Sequence, residues 1–237
     1  MPISMCRPGL RTLPLCLIVL FSMPFARAAG MVPQTPVLVV DEGIGEATMN
    51  VRNTETRPAL LHTTVENIEP DDQLLLVFSP PVARVEAGAV QQVRFILQSA
   101  VPLQTERLKR VIFEGINPVS GSDGARVNLG VRQNLPVILR PAGLPVEREP
   151  WKRLTWTATA EGLQVSNPSP YVVRLAKAIV PLPGTRAVDL PRTYILPGER
   201  LSVGLPLSST LRIMGVRIFP ATTYGFAVDQ FDAPVTR

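Results

Sequence analysis

The sequence predicts an all-β protein made of two sandwiches in tandem. Three observations predict it. Short runs alternate apolar and polar residues with period two, and they recur from about residue 35 to residue 228 between turn signals. The chain carries 25 prolines and 16 glycines and has no long run of Ala, Glu, Lys and Leu, so strands and turns are favoured over helices. Its 237 residues are 46% hydrophobic, enough to fill one large core or two small ones.

The N-terminus stands apart from that pattern. Arg7 and Arg11 form a basic region, residues 13–23 form a short apolar run, and Ala26-Arg27-Ala28 is a small-x-small site. The run is too short for a comfortable membrane span, so residues 1–28 are read as a secretory signal peptide cleaved after Ala28, with an uncleaved anchor as the rival. Three arginines leave with it and no acidic residue does, so the formal charge falls from +5 to +2. The basic balance is then no argument for nucleic acid. Cys6 and Cys16 leave as well. The mature chain is expected in the periplasm, without a disulfide and without a thiol nucleophile, held by core burial alone.

Taken in order, residues 31–33 are a Pro-containing lead and 35–40 a first strand. A turn at 41–45 leads to an alternating strand at 46–52, and the polar turn 53–58 to a strand at 59–67 that carries the only histidine, His62. The turn 69–72 precedes a short apolar strand at 74–78, which Ser79-Pro80-Pro81 breaks. Strands follow at 82–85 and 90–97. The run 106–116 is a strand because Val111-Ile112-Phe113 favours β over helix. Residues 117–125 form a Gly/Ser-rich loop. The stretch 126–141 then alternates, with Val127, Leu129 and Val131 on one side and Asn128, Gly130 and Arg132 on the other, and it ends in Arg140-Pro141. Pro136 cannot donate to a ladder, which argues for an edge or a bulge there.

The linker Ala142-Gly143-Leu144-Pro145 separates this stretch from a second set of strand patterns at 154–160, 163–166, 171–180, 192–196, 199–205, 211–219 and 222–228. About seven strands in each half, at this turn spacing, suit two immunoglobulin-like β-sandwiches, residues 30–141 and 145–237.

Four motifs, in this order, resemble the PapD-like periplasmic pilus (fimbrial) assembly chaperones, and the resemblance covers nearly all of the mature chain. Phe78-Ser79-Pro80-Pro81 is similar to that family's strand and Pro-Pro break. The run from Leu135 to Arg140-Pro141 is similar to its hydrophobic junction strand. Asn167-Pro168-Ser169-Pro170-Tyr171, after the apolar strand 162–166, is similar to its Asn-Pro-Ser/Thr-Pro-Tyr turn. Leu196-Pro197-Gly198-Glu199 is similar to its apolar–Pro–small turn. The resemblance implies an L-shaped pair of sandwiches and a non-enzymatic, cofactor-free function in fimbrium biogenesis. Such a protein lends the last strand of its first domain to pilus subunits that lack one, then delivers them to an outer-membrane usher. Val127, Leu129 and Val131 would be the subunit-binding residues, with Arg140 and Pro141 at the domain junction. Donor-strand complementation suits the physics: the strand backbone supplies hydrogen bonds and its apolar row fills pockets. Each side chain fully buried would contribute about 1.5–3 kcal/mol before the costs of association. An exposed apolar edge is otherwise an aggregation hazard. A free chaperone that self-associates would cover it.

The sequence also departs from the family. The family's first strand carries an Arg and its junction strand a Lys, which together grip the subunit's C-terminal carboxylate. Here those positions are Pro36 and Pro136, which offer neither a charged side chain nor an N–H. Arg132 is a candidate carboxylate contact, against its plain reading as a solvated strand residue. The family's aromatic pair is missing around 107–113, and 224–231 matches only loosely. These differences mark a divergent branch.

Other candidates read more plainly. Gly43-Ile44-Gly45 is half a dinucleotide fingerprint, with Thr48 where the third glycine belongs, and is read as a turn. Glu69, Asp71 and Asp72 lack calcium-loop spacing and are read as a solvated turn. His62 has no second histidine for a metal site. Trp151 and Trp156 are read as core of the second domain. No metal or other cofactor is called for. Two rivals stay open: a structural or adhesive pilus-associated sandwich protein, which would bury its last strand, and a hydrolase, for which no convergent nucleophile and base is seen.

Overall fold

The computed structural model describes residues 30–117, 131–205 and 213–236. Among the described residues, nine strands make up the first half: β1 (Met31–Pro33), β2 (Leu38–Asp41), β3 (Glu46–Asn53), β4 (Ala59–Glu66), β5 (Leu76–Ser79), β6 (Val82–Val85), β7 (Val90–Leu97), β8 (Arg107–Ile116) and β9 (Arg132–Arg140). They form two sheets, β1-β3-β7-β5 and β2-β9-β8-β4-β6. Alternate residues of each sheet turn inward, and Val51, Val93 and Phe95 of one meet Val111, Phe113, Leu135 and Val137 of the other in one buried cluster. Phe113 meets Phe95 edge to face.

The lead at 31–33 is a correction. It is itself a strand, paired antiparallel with β3, whereas β2 pairs parallel with β9 in the opposite sheet. The expected strand 35–40 therefore begins only at Leu38. The chain changes sheets across Gln34-Thr35-Pro36, where Pro36 has no N–H for a ladder. The turns expected at 41–45 and 53–58 are found, each starting one residue later because Asp41 and Asn53 still belong to strands, and Gly45 closes the first with a positive φ of 81°.

The second half opens on a single 3₁₀ turn, Pro150–Arg153, and continues through β10 (Thr155–Thr159), β11 (Gly162–Ser166), β12 (Val173–Leu175), β13 (Ala178–Leu182), β14 (Val188–Asp189), β15 (Tyr194–Ile195), β16 (Arg200–Gly204), β17 (Gly215–Ile218), β18 (Pro220–Ala221) and β19 (Phe231–Thr236). A seven-stranded sheet runs β14-β13-β17-β19-β10-β11-β16, faced by the short sheet β15-β12-β18. Trp151 and Trp156 are buried in the core between them, as expected.

Three expectations fail here. Residues 171–180 are not one strand: β12 and β13 belong to different sheets. Residues 222–228 are not a strand but a turn. Gly225 takes a φ of 86°, and the Thr222 hydroxyl accepts from the N–H of Phe226. The last strand lies further on, at β19, where no strand is expected from the sequence. Pro234 disguises it, but it falls opposite Gly215 of β17, and β19 also pairs parallel with β10.

A third apolar cluster joins the two halves. Val37, Leu108 and Ile138, from the outer face of the β9-bearing sheet, pack on Val172. Beside them the Pro170 carbonyl accepts from the Glu106 N–H, and Glu106 Oε2 accepts from the Val172 N–H at 2.9 Å. The Asn167 to Tyr171 motif shapes this contact. Buried Asn167 donates to the carbonyls of Tyr171 and Ile195 and accepts from the Ser169 hydroxyl, and the Tyr171 hydroxyl donates to Pro145 O.

Candidate functional site

The alternation of β9 sends its two rows of side chains into different environments. Leu135, Val137 and Leu139 enter the core of the first sandwich. Pro136 and Ile138 face the other way, Ile138 into the contact with the second half. The first row is the one to which Val131 belongs. It is core at Leu135, Gln133 interrupts its apolar run, and Val131 beyond it is 42% exposed. Val127 and Leu129 lie outside the described residues, as do residues 1–28, expected to be a signal peptide, and residues 118–125 of the expected loop.

β9 has unequal neighbours. β8 pairs with it from Arg132 to Leu139. β2 pairs with it only from Val137 to Arg140. On the β2 side, Arg132 to Pro136 have no strand partner among the described residues. β9 is therefore an interior strand at its C-terminal end and an edge at its N-terminal end, with Pro136 at the changeover. A missing N–H costs nothing at that position.

The predicted charges fall in separate places. Arg132 stands opposite Glu114 of β8, with its Nε 3.4 Å from the carboxylate, and His62 Nδ1 lies 3.9 Å from the same group. This candidate contact already has an acid of its own chain, although it is largely exposed. Arg140 is buried at the junction with its Nε 3.6 Å from Glu106, and Pro141 follows at the start of the turn into the second half. Burial holds the Glu106 carboxyl above its ordinary range, partly offset by the Val172 N–H and by Arg140.

Two features escaped the sequence. One is Glu106, a single acid at a strand start with nothing to distinguish it. The other is Lys109, fully buried in β8. Its ammonium donates to the carbonyls of Asp71 and Gln73 at 2.9 and 2.8 Å and lies 3.0 Å from the Asp71 carboxylate. Arg107 Nε donates to that carboxylate at 2.7 Å. Asp71 is thus no solvated turn residue, which corrects the sequence reading. Burial acts to raise its pKa, but the hydrogen bonds and charges of Arg107 and Lys109 outweigh it and hold the group below the usual carboxylate range. Burial lowers the pKa of Lys109, with Asp71 opposing. Among the described residues no group of three or more His, Cys, Asp and Glu side chains is arranged to hold a metal ion.

Comparison with known proteins gives this arrangement a family. Residues 30–145 match the model of the pili and flagellar-assembly chaperone PapD N-terminal domain, and residues 149–226 match that of the pili assembly chaperone PapD C-terminal domain. The chain is 44% identical over 205 residues to the uncharacterized fimbrial chaperone YhcA of Escherichia coli K12, covering 86% of this chain and 90% of that one. Its fold is similar to that of the Salmonella enterica chaperone SafB, solved in complex with the SafA pilin, with a TM-score of 0.73 at 19% identity over 88% of this chain and 97% of the other. It is also similar to the E. coli chaperone DraB, with a TM-score of 0.70 at 22% identity over 88% and 100%. The two-domain all-β chain belongs to the PapD family of pili assembly chaperones.

Proposed function

We propose that this chaperone works in the periplasm, without enzymatic chemistry, by lending the N-terminal part of β9 and the residues before it to pilus subunits that lack a strand. It then passes each subunit to an outer-membrane usher. The observation that carries the reading is the open edge of β9 from Arg132 to Pro136, together with the exposed apolar side chain of Val131 just before it. An incoming strand finds unpaired backbone there, and Val127, Leu129 and Val131 are the side chains that would fill its partner's groove. The pilin bound to SafB supports a subunit as the partner. Arg140 and Pro141 hold the junction behind this edge, and self-association of the free protein would cover it.

The test is capture from the native periplasm, comparing the tagged protein with a V127D/L129D/V131D variant shown to fold by circular dichroism. The wild type should recover a small β-rich subunit and the variant should lose at least nine-tenths of it. Equal recovery by both would remove the strand from the mechanism. Self-association of the wild type with no captured subunit would favour a structural, adhesive sandwich protein.

A further inference from the structure

The two sides of β9 are told apart by where its backbone groups point. The Arg140 carbonyl accepts from the N–H of Glu42, just past the end of β2, so it points away from β8. The β8–β9 register runs from Glu114–Arg132 to Arg107–Leu139 without a bulge, and backbone groups change sides from one residue to the next along a strand. Arg132, Asn134, Pro136 and Ile138 therefore send their backbone groups to the same side as Arg140. Pro136 agrees: with no N–H to give to Arg110, it fits only a pair that exchanges no hydrogen bonds. β2 begins to pair at Val137, so the N–H and carbonyl of Arg132 and Asn134 are the groups an added strand would meet.

One of those carbonyls is already taken. Arg110 of β8 donates from Nη2 to Asn134 O at 2.9 Å and from Nε to Asn134 Oδ1 at 2.6 Å. It stands opposite Pro136, so its guanidinium is drawn over β9 to the residue two places along. A carboxylate is passed over to make this contact: Glu66 stands directly opposite Arg110 on β4, and no ion pair joins them. One guanidinium fork thus holds the side chain and the edge carbonyl of the same residue, with charge-assisted bonds.

We propose that Arg110 guards the open edge: it holds the Asn134 carbonyl in the free chaperone and gives it up to the strand that is added. This rests on the reading that client strands add along β9. An unpaired edge is a template for any extended segment, a second copy of this chain included, and charged side chains and prolines are common means of blunting it. Both devices meet here. Pro136 removes an N–H from the edge, and Arg110 occupies the carbonyl two residues before it. An incoming strand must put its own N–H where the fork sits. A strand that pairs along the whole segment replaces the bonds of Arg110, whereas a segment that makes only one or two ladder bonds does not. Arg110 thereby favours a long complementary strand over incidental pairing.

Sedimentation equilibrium of the full mature chain over a concentration series tests this, with a second copy of the chain as the added strand. Arg110→Met keeps the aliphatic stem and removes the donors, and it should tighten self-association about tenfold, the worth of one charge-assisted hydrogen bond. Arg110→Lys keeps the charge and loses the fork, so it should fall between Arg110→Met and the wild type. Loss of stability also promotes association, so the gain is traced to the edge itself. Asn134→Pro removes the N–H that an added strand needs and leaves the pairing with β8 in place, as Pro136 already does, and the double variant R110M/N134P should lose the gain. Unchanged or weaker self-association of R110M would overturn the proposal, as would a gain that persists in R110M/N134P. So would the absence of self-association in both wild type and R110M, since an edge that adds no strand needs no guard. None of these outcomes depends on capture of a subunit, so a failed guard and a failed donor strand, the latter read from V127D/L129D/V131D, are told apart.

Discussion

A lysine ammonium inside a sandwich needs a counter-charge and acceptors, and Lys109 obtains both from a turn 38 residues away. No local pattern signals this, because Asp71 sits among Glu69, Pro70 and Asp72 in a stretch that reads as solvated. The partnership exists only once β8 is folded beside that turn. Asp71→Asn leaves Lys109 and Arg107 without their carboxylate and should cost about 3–5 kcal/mol, the usual penalty for breaking a buried pair. Lys109→Met removes the buried charge and leaves Asp71 paired with Arg107, so its cost should be about 1.5 kcal/mol or less. Chemical denaturation of the two variants measures the difference. Because the folded pKa of Asp71 is lowered, its contribution is fully present above the ordinary carboxylate pKa. It is lost as pH falls from there through the depressed folded value. Asp71→Asn should flatten that acid limb of the stability curve.

At the scale of elements, alternation identified most strands of the first half and failed where a strand is short or changes sheets. β1 and β2 look like a lead followed by one strand, and β12 and β13 look like a single strand, because a side-chain pattern does not say which sheet a backbone joins. β19 was invisible because Pro234 demotes it, yet its position opposite Gly215 tolerates proline. The β10–β11 hairpin turns on Gly162. Its φ is 145°, and a Cβ there would stand 2.1 Å from the Val203 carbonyl oxygen of the neighbouring β16. Gly162→Ala must therefore push β16 aside and should cost at least about 2 kcal/mol, whereas Gly198→Ala, which meets no atom within 4 Å, should cost only the strain of its positive φ, about 1–2 kcal/mol. Thermal unfolding should rank the two in that order. β9 falls inside the expected strand 126–141, but the residues whose alternation predicted that strand, Val127 to Arg132, lie at or before its first residue and mostly outside the described residues. What alternation did not supply is the place where β2 stops covering its edge.

For the molecule as a whole, Glu106 is the polar link between the domains beside the Val37, Leu108, Ile138 and Val172 cluster, accepting from the Val172 N–H near Arg140. Glu106→Ala leaves that buried N–H and Arg140 without their acceptor and should cost about 2–4 kcal/mol. Small-angle scattering should show a wider distribution of domain separations in that variant. Glu106→Gln keeps an acceptor and should preserve the wild-type scattering curve. Its pH effect is opposite in sign to that of Asp71. A carboxyl whose folded pKa is raised favours the fold below the ordinary carboxylate pKa, and this contribution is lost as pH rises through the raised folded value, so Glu106→Gln should remove that decline. The sequence by itself determined the all-β class and the family resemblance, because these depend on local alternation and on motifs of adjacent residues. Only the tertiary structure decided that β9 is half interior and half edge, and that Glu106 and Lys109 find their partners. Each of these is a pairing between segments far apart in the chain, and such pairings leave no local pattern to read.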